Sequence, residues 1–262
     1  MSITGAIAQP LRHSAIGGWQ LLGTILILNM YLIHQTEKVV VIATANSTNR
    51  KTGKSVQLWI LDATMHPHES RQSGHDAENQ CAGCPFASGN GCYVSPNALG
   101  SIWRKYKRGG YPALIMGSQE WNQFFSVDYV RFGAYGNPSL IPLEMVKDIA
   151  SKAQKITGYF HDWHMMPVDS AKAYGNFFMA SCEPDNYGKA QSLGLRTFTV
   201  VSDALPSAGI ECLADAKGMT CKQCGLCDGN RRTANRAKPL PNIFITAHGY
   251  QVAKAKAMSM VN

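Results

Sequence analysis

The sequence predicts an α/β fold: a parallel sheet with crossover helices, forming an incomplete or irregular (β/α) barrel with cysteine-rich metal-binding loops. Three observations point there. Short apolar, β-branched runs alternate with helix-like segments along most of the chain. Several runs end on a polar or ionisable residue, namely Asn137, His161, Glu183, Asp203 and His248, and an α/β barrel builds its site at the carboxyl ends of its strands. Seven of the eight cysteines fall in two tight groups between these runs.

The elements follow in order. VVVIATA at 39–45 is continuous, apolar and β-branched, the pattern of a buried strand. NSTNRKTGKS is a polar turn, and VQLWIL at 56–61 is a second strand. The TGKS within that turn lacks the earlier glycine of a phosphate-binding loop, since Thr48 holds that position, and it precedes a strand rather than a helix. Residues 62–80 are polar, carry His66, His68 and His75, and are expected to be loop. NALGSIWRKYKRGG at 97–110 suits a helix that Asn97 can cap and Gly109 with Gly110 can stop. ALIM at 113–116 reads as a short strand and YVRFGAYGN at 129–137 as a longer one ending in a glycine-bearing turn. Pro142 opens a helix over IPLEMVKDIASKAQKI. ITGYFHDW at 156–163 and FFMASCE at 177–183 repeat the strand theme. A helix over NYGKAQSLG leads to strand RTFTVV at 196–201, and NIFITAHG at 242–249 closes the series.

The 262 residues are 45% hydrophobic and 16% charged, a composition that folds around a core rather than staying disordered. Lys and Arg number 25 against 17 Asp and Glu. The net charge of +8 says nothing about the fold but makes nucleic acid a candidate partner. IGGWQLLGTILILNMYLI at 16–33 is of borderline length for a membrane span. Gln20 and Asn29 interrupt it, and no small-residue cleavage site follows. It is expected to be a buried element, or an overlong start ahead of Met30, and not a membrane anchor. Residues 1–34 are therefore set apart as an apolar extension and 35–262 as a single α/β metal-binding domain. Cys-x2-Cys spacing is foreign to disulfide frameworks, which places the chain in a reducing compartment, the cytoplasm. The oligomeric state is not legible.

The first cysteine group is Cys81-x2-Cys84-x7-Cys92, followed by Tyr93. The second is Cys212-x8-Cys221-x2-Cys224-x2-Cys227. Thiolates select zinc, copper(I) or iron–sulfur clusters. The C-x2-C-x2-C run suits a loop wrapped around a [4Fe–4S] cube, and Cys212 supplies a fourth ligand. Three cysteines alone would leave one iron of such a cube open, as in adenosylmethionine radical enzymes. Here x2 then x7 replaces their usual x3 then x2. One or two [4Fe–4S] clusters are expected, with S-adenosylmethionine as a further cofactor if the first cluster is open. Zinc is the alternative: either group can make a closed tetrahedral site, the first by recruiting a histidine such as His75, and one site mixing both groups is also open. The lone Cys182 reads as a small core residue.

Other candidates surround these groups. His161 and Asp162, in YFHDWH with His164, and His248 in TAHG suit acid–base or ligand roles at one mouth. Arg131 and Arg196 lie on strands and suit carboxylate or phosphate oxygens if they face inward, and ordinary ion pairs if they do not. Trp103, Arg104, Lys105, Lys107 and Arg108 mix cations with an aromatic ring, as a nucleic-acid contact would, or form one solvated helix face.

The order of CAGCPFASGNGCYV, KRGGYPAL, RFGAYGNPSLIP, ITGYFHDW, MASCE with GLRTFTV, TCKQCGLCDG and ITAHG resembles the gene product 88 family of bacteriophage and mobile-element proteins. The likeness spans about residues 40–250. It implies a phage or prophage origin and matches Cys81, Cys84, Cys92, Cys221, Cys224 and Cys227, with Cys212 as a seventh. Asn137 departs from the resemblance, which implies an acid there. The functional expectation is a phage-type cysteine-ligated metalloprotein, a radical or redox enzyme acting on nucleic acid. The rival is a non-enzymatic, zinc-stapled nucleic-acid-binding protein in phage replication or host control.

Overall fold

The computed structural model describes residues 29–47, 49–94, 96–202, 209–231, 239–247, 252–254 and 256. Strands β1 (Met30–Gln35), β2 (Val39–Thr44) and β3 (Val56–Asp62) come first. Helices α1 (Pro67–Ser73), α2 (His75–Glu78), α3 (Pro96–Lys107) and α4 (Gln119–Phe125) separate them from β4 (Tyr129–Tyr135). Next come α5 (Leu143–Lys152), β5 (Lys155–Thr157), β6 (Tyr159–Phe160), α6 (Val168–Gly175), β7 (Met179–Cys182), α7 (Tyr187–Ser192) and β8 (Thr197–Val201). The last described elements of the sheets and cysteine loops are β9 (Ile210–Glu211), α8 (Leu213–Ala216), α9 (Cys221–Cys224) and β10 (Ile243–Thr246).

Two five-stranded sheets result, ordered β1-β2-β3-β4-β5 and β6-β7-β8-β10-β9. The second is parallel throughout. In the first, β3, β4 and β5 are parallel, but β1, β2 and β3 pair antiparallel. The expected parallel sheet is therefore corrected at this end: β2 and β3 are joined by the polar turn alone, too short to hold a crossover helix. β5 and β6 are two ends of one run interrupted at Gly158. A Cβ at Gly158 would lie 2.4 Å from the Phe178 ring, so glycine alone fits. Gly158 turns its N–H to the Cys227 carbonyl (3.4 Å), and its carbonyl accepts from Met179 N (3.0 Å). The interruption thus spends a ladder bond on the second cysteine segment.

β2 is buried along nearly its whole length because both of its faces are covered. Val39, Val41 and Ala43 join the main core, with Leu58, Phe132, Trp121 and Ile149. Val40 and Ile42 face a second core that contains Leu61, Tyr135 and Cys81. The first cysteine segment is thus packed against the sheet.

Several expectations change. The apolar stretch set apart as residues 1–34 contributes β1, whose Tyr31 and Ile33 are buried, so its described end belongs to the sheet. Residues 62–80 form α1 and α2, started by the His66 side chain and Pro67, and divided by Gly74 at φ +80°. ALIM is no strand: Ala113 makes one bridge to Leu32. Helices α4 and α6 were not foreseen, although Ser118 caps the first by accepting from Trp121 N. Among the described residues no helix is long and apolar enough to cross a membrane.

Candidate active site between the two cysteine groups

The first cysteine segment is a chain of tight turns. Cys81 N donates to the Asp76 carbonyl (2.8 Å), Cys84 N to Cys81 O (3.0 Å) and Ala87 N to Cys84 O (3.1 Å). The buried Asp76 carboxylate accepts from both the backbone N and the Oγ of Ser88, which closes the segment. Gly83, at φ +75°, lets it approach the His161–Asp162 backbone, where a Cβ would lie 2.8 Å from Asp162 Cα. Arg71 Nη1 donates to the Val94 carbonyl just beyond Cys92 (2.9 Å).

Asn137 ties this segment to the end of β4. Its N–H donates to Gln80 O (2.7 Å), and its fully buried side-chain amide donates to Ala82 O (3.2 Å). An ionised aspartate has no hydrogen to give that carbonyl. The amide therefore does structural work here that the acid implied by the resemblance would not.

The second segment is held from three directions. Thr220 and Gln223 form a reciprocal cap at the start of α9, and Gly225 ends it at φ +64°. The β2–β3 turn accepts from Cys221 N through Lys51 O (2.9 Å) and from Lys222 N through Thr52 O (3.1 Å). Lys155 Nζ donates to the carbonyls of Lys222 and Gln223, both at 2.9 Å. Arg196, 6% exposed, donates to the carbonyls of Gly229 (2.6 Å), Leu226 (2.9 Å) and Pro241 (2.7 Å), with the Asp228 carboxylate 3.5 Å away.

Between the two segments lies a cavity of about 190 Å³. Cys81, Cys84 and Cys92 line it, as do Cys212 and Cys221, with residues of both sheets completing the wall. Cys224 and Cys227 belong to the second segment but not to the lining. Burial pushes the Cys81, Cys84 and Cys92 thiols up, and in Cys81 and Cys84 neighbouring thiols of the same group push further. Burial likewise raises Cys212, Cys221 and Cys227, whose charges oppose one another's ionisation. Tyr159 sits beside Cys227 and Tyr129 beside Cys221, each favouring the thiolate by its hydroxyl. Among the described residues no three His, Cys, Asp or Glu side chains converge on a point where one metal ion would sit. His75 is not drawn to the first group; its Nε2 lies 3.0 Å from the Asp62 carboxylate.

Two of the four expected catalytic residues line the cavity. Arg131 lies on β4, buried, and its Nη2 donates to Tyr93 Oη (2.6 Å). His161 follows β6 with its Nδ1 buried and unpartnered. Asp162 does not share that wall: its carboxylate accepts from Ser139 Oγ at 2.8 Å and steadies the turn after β4. His248 and Asp203 lie outside the described residues, though the cavity reaches Ala247 beside the first. Asn137 lines the cavity, whereas Glu183 does not. Arg196 is a clamp rather than a pocket residue, and Cys182 is a core residue of β7.

The α3 residues stand apart from the cavity. Trp103 is half-buried against the second core and donates Nε1–H to the Asp62 carbonyl (2.9 Å). Arg104, Lys107 and Arg108 are exposed, and Lys105 lies over the Tyr111 ring at 4.8 Å. Sequence reading missed Tyr129, Thr157, Tyr159 and Phe198 in the wall. For two of them the signal was parity: Tyr129 and Arg131 are two apart on β4, as are Phe198 and Val200 on β8.

Burial, with a smaller push from His164, lowers the His161 imidazole to about 4 from the ordinary 6.5. The unfolded chain therefore binds the extra proton first as pH drops. Stability held above pH 6.5 is expected to fall by roughly 2–3 kcal/mol as pH approaches 4. His161→Phe, which cannot titrate, should remove that component from the pH dependence of urea denaturation.

No family model matches the chain, and neither a curated protein nor a solved structure does.

Proposed function

We propose that this chain is a phage-type iron–sulfur protein whose cavity is the active site of a radical or redox enzyme. One observation carries the reading: two cysteine groups far apart in sequence line one cavity together with a buried arginine and a histidine. A binding scaffold stapled by metal has no need to place both staples against the same empty space.

The cysteine spacing favours clusters over single zinc ions, since the C-x2-C-x2-C run with Cys212 suits a loop wrapped around a [4Fe–4S] cube. On this reading Cys212, Cys221, Cys224 and Cys227 would hold one cluster. Cys81, Cys84 and Cys92 would hold a second, and with three protein ligands it would leave a place for adenosylmethionine. A reduced cluster would supply an electron. Arg131 and Tyr93 orient what enters, His161 offers an uncharged nitrogen at neutral pH, and the surrounding aromatic wall excludes water. Because β5 continues into β6, the two sheets suit a single incomplete barrel with this cavity inside.

Nucleic acid as the substrate, or as the partner of a zinc-stapled scaffold, rests on the exposed cations of α3. Oxygen-free purification followed by iron, zinc and acid-labile sulfide analysis tests the reading. Brown protein with about four or eight iron and equal sulfide per chain supports it. Colourless protein with about one or two zinc ions overturns it and leaves the scaffold.

A further inference from the structure

We propose that the cavity binds a small organic monocarboxylate with an aromatic or apolar body, and that Arg131 holds the carboxylate. This rests on the cavity being a ligand site and not on which metal the cysteines carry.

Arg131 is the starting point. It is 9% exposed, and no Asp or Glu among the described residues lies within ion-pair distance of it. Its hydrogen bond goes to the Tyr93 hydroxyl. A buried guanidinium without a carboxylate is costly, because desolvation of the charge is not offset. Arg196 shows the contrast in the same fold: it is equally buried, but three carbonyls and Asp228 surround it. Arg131 instead faces a cavity, with N–H donors beyond the one given to Tyr93. A planar fork of donors is shaped for two oxygens of one anion.

The wall sets the rest of the ligand. Tyr159 and Phe198 stand with ring centroids 4.3 Å apart and make one aromatic surface, which Val200 and Ile245 extend. Thr157 and Ser181 add hydroxyls. The other cation in the lining, Lys51, is paired with Asp215 at 2.9 Å. The cavity thus presents a guanidinium that no carboxylate of the described residues pairs with, beside an apolar surface. That suits a monoanion better than a phosphate dianion, which gathers several cations. The Tyr129 and Tyr159 hydroxyls and the Cys221 thiol are competitors for Arg131, since all act on it electrostatically.

Phenylacetate, phenylacetamide and phenyl phosphate, titrated into the full chain by ligand-observed NMR, test the assignment. Phenylacetate should bind at least about tenfold more tightly than the isosteric neutral amide, the usual size of a lost charge-assisted hydrogen bond. Arg131→Gln should abolish that preference, and Arg131→Lys, which keeps the charge but not the fork, should retain part of it. Equal binding of acid and amide, tighter binding of the phosphate, or no binding of any probe would each overturn the proposal. So would an unchanged phenylacetate affinity in Arg131→Gln, which would leave Arg131 as a counter-ion of Cys221. The acid–amide comparison needs no variant, so it decides even if the substitutions fail to fold. Metal analysis of the same sample separates the two readings. Zinc-loaded protein that still prefers the acid keeps this site and loses the clusters, and brown protein without the preference does the reverse.

Discussion

Arg196→Met is expected to lower stability by roughly 3–5 kcal/mol, a fall in Tm on the order of 10 °C, and to release the second cysteine segment. The side chain lies in the interior and its guanidinium gathers the carbonyls of Leu226, Gly229 and Pro241. Methionine fills similar volume but offers no donors. Three inward-facing carbonyls and the buried Asp228 carboxylate, 3.5 Å from the guanidinium, would lose that charge together. Local collapse cannot repair this easily. Gly229 sits at φ +61°, where a Cβ would lie 2.4 Å from the Gly175 carbonyl, so the segment has little room to shift. Thermal denaturation followed by circular dichroism measures the first effect. Metal content measures the second: if the proposed clusters are present, the share of Cys212, Cys221, Cys224 and Cys227 should drop while that of Cys81, Cys84 and Cys92 remains. A variant melting within about 2 °C of the parent, with full metal, would mean that the segment is held by its other anchors.

The second large effect concerns the cysteines themselves. If the proposed clusters are present, Cys92→Ala and Cys221→Ala should each remove about half of the iron and sulfide, and the double variant nearly all. The two groups have separate anchors. The first is fixed by Asp76, Asn137 and Arg71, and the second by the β2–β3 turn, Lys155 and Arg196. Loss of one should therefore leave the other's fold and metal in place. Cys92→Ala should in addition end any activity while sparing the second group. If either single variant loses all of its metal, the groups share one site, and the cavity between them is occupied by that metal rather than by a substrate.

Much of this was legible in the chain. β2, β3, β4, β7 and β8 lie where continuous apolar or β-branched runs place them, within a residue or two, and β10 lies inside the run read at 242–249. The stop of α3 is legible because Gly109 and Gly110 return their N–H groups to Tyr106 and Lys105. What failed has identifiable causes. The histidine-bearing segment after β3 looked like loop because α1 and α2 are short and polar, stabilised by a cap and by packing rather than by an apolar stripe. Asp162 looked like a partner of His161 because adjacent residues share a neighbourhood in sequence. In space one faces the cavity and the other turns to Ser139.

The sequence by itself determined the strand pattern, the cysteine spacings and the glycines that allow both cysteine segments to turn tightly. Those are local properties, set by side-chain branching, by periodicity and by backbone freedom at residues such as Gly83 and Gly225. Only the tertiary structure decided that the two segments meet at one cavity, that Arg131 reaches it while Arg196 clamps from behind, and that Tyr129, Tyr159 and Phe198 complete its wall. Which face a strand residue takes depends on register with its neighbours. That register is settled only when the sheets pair and Gly158 carries one strand from the first to the second.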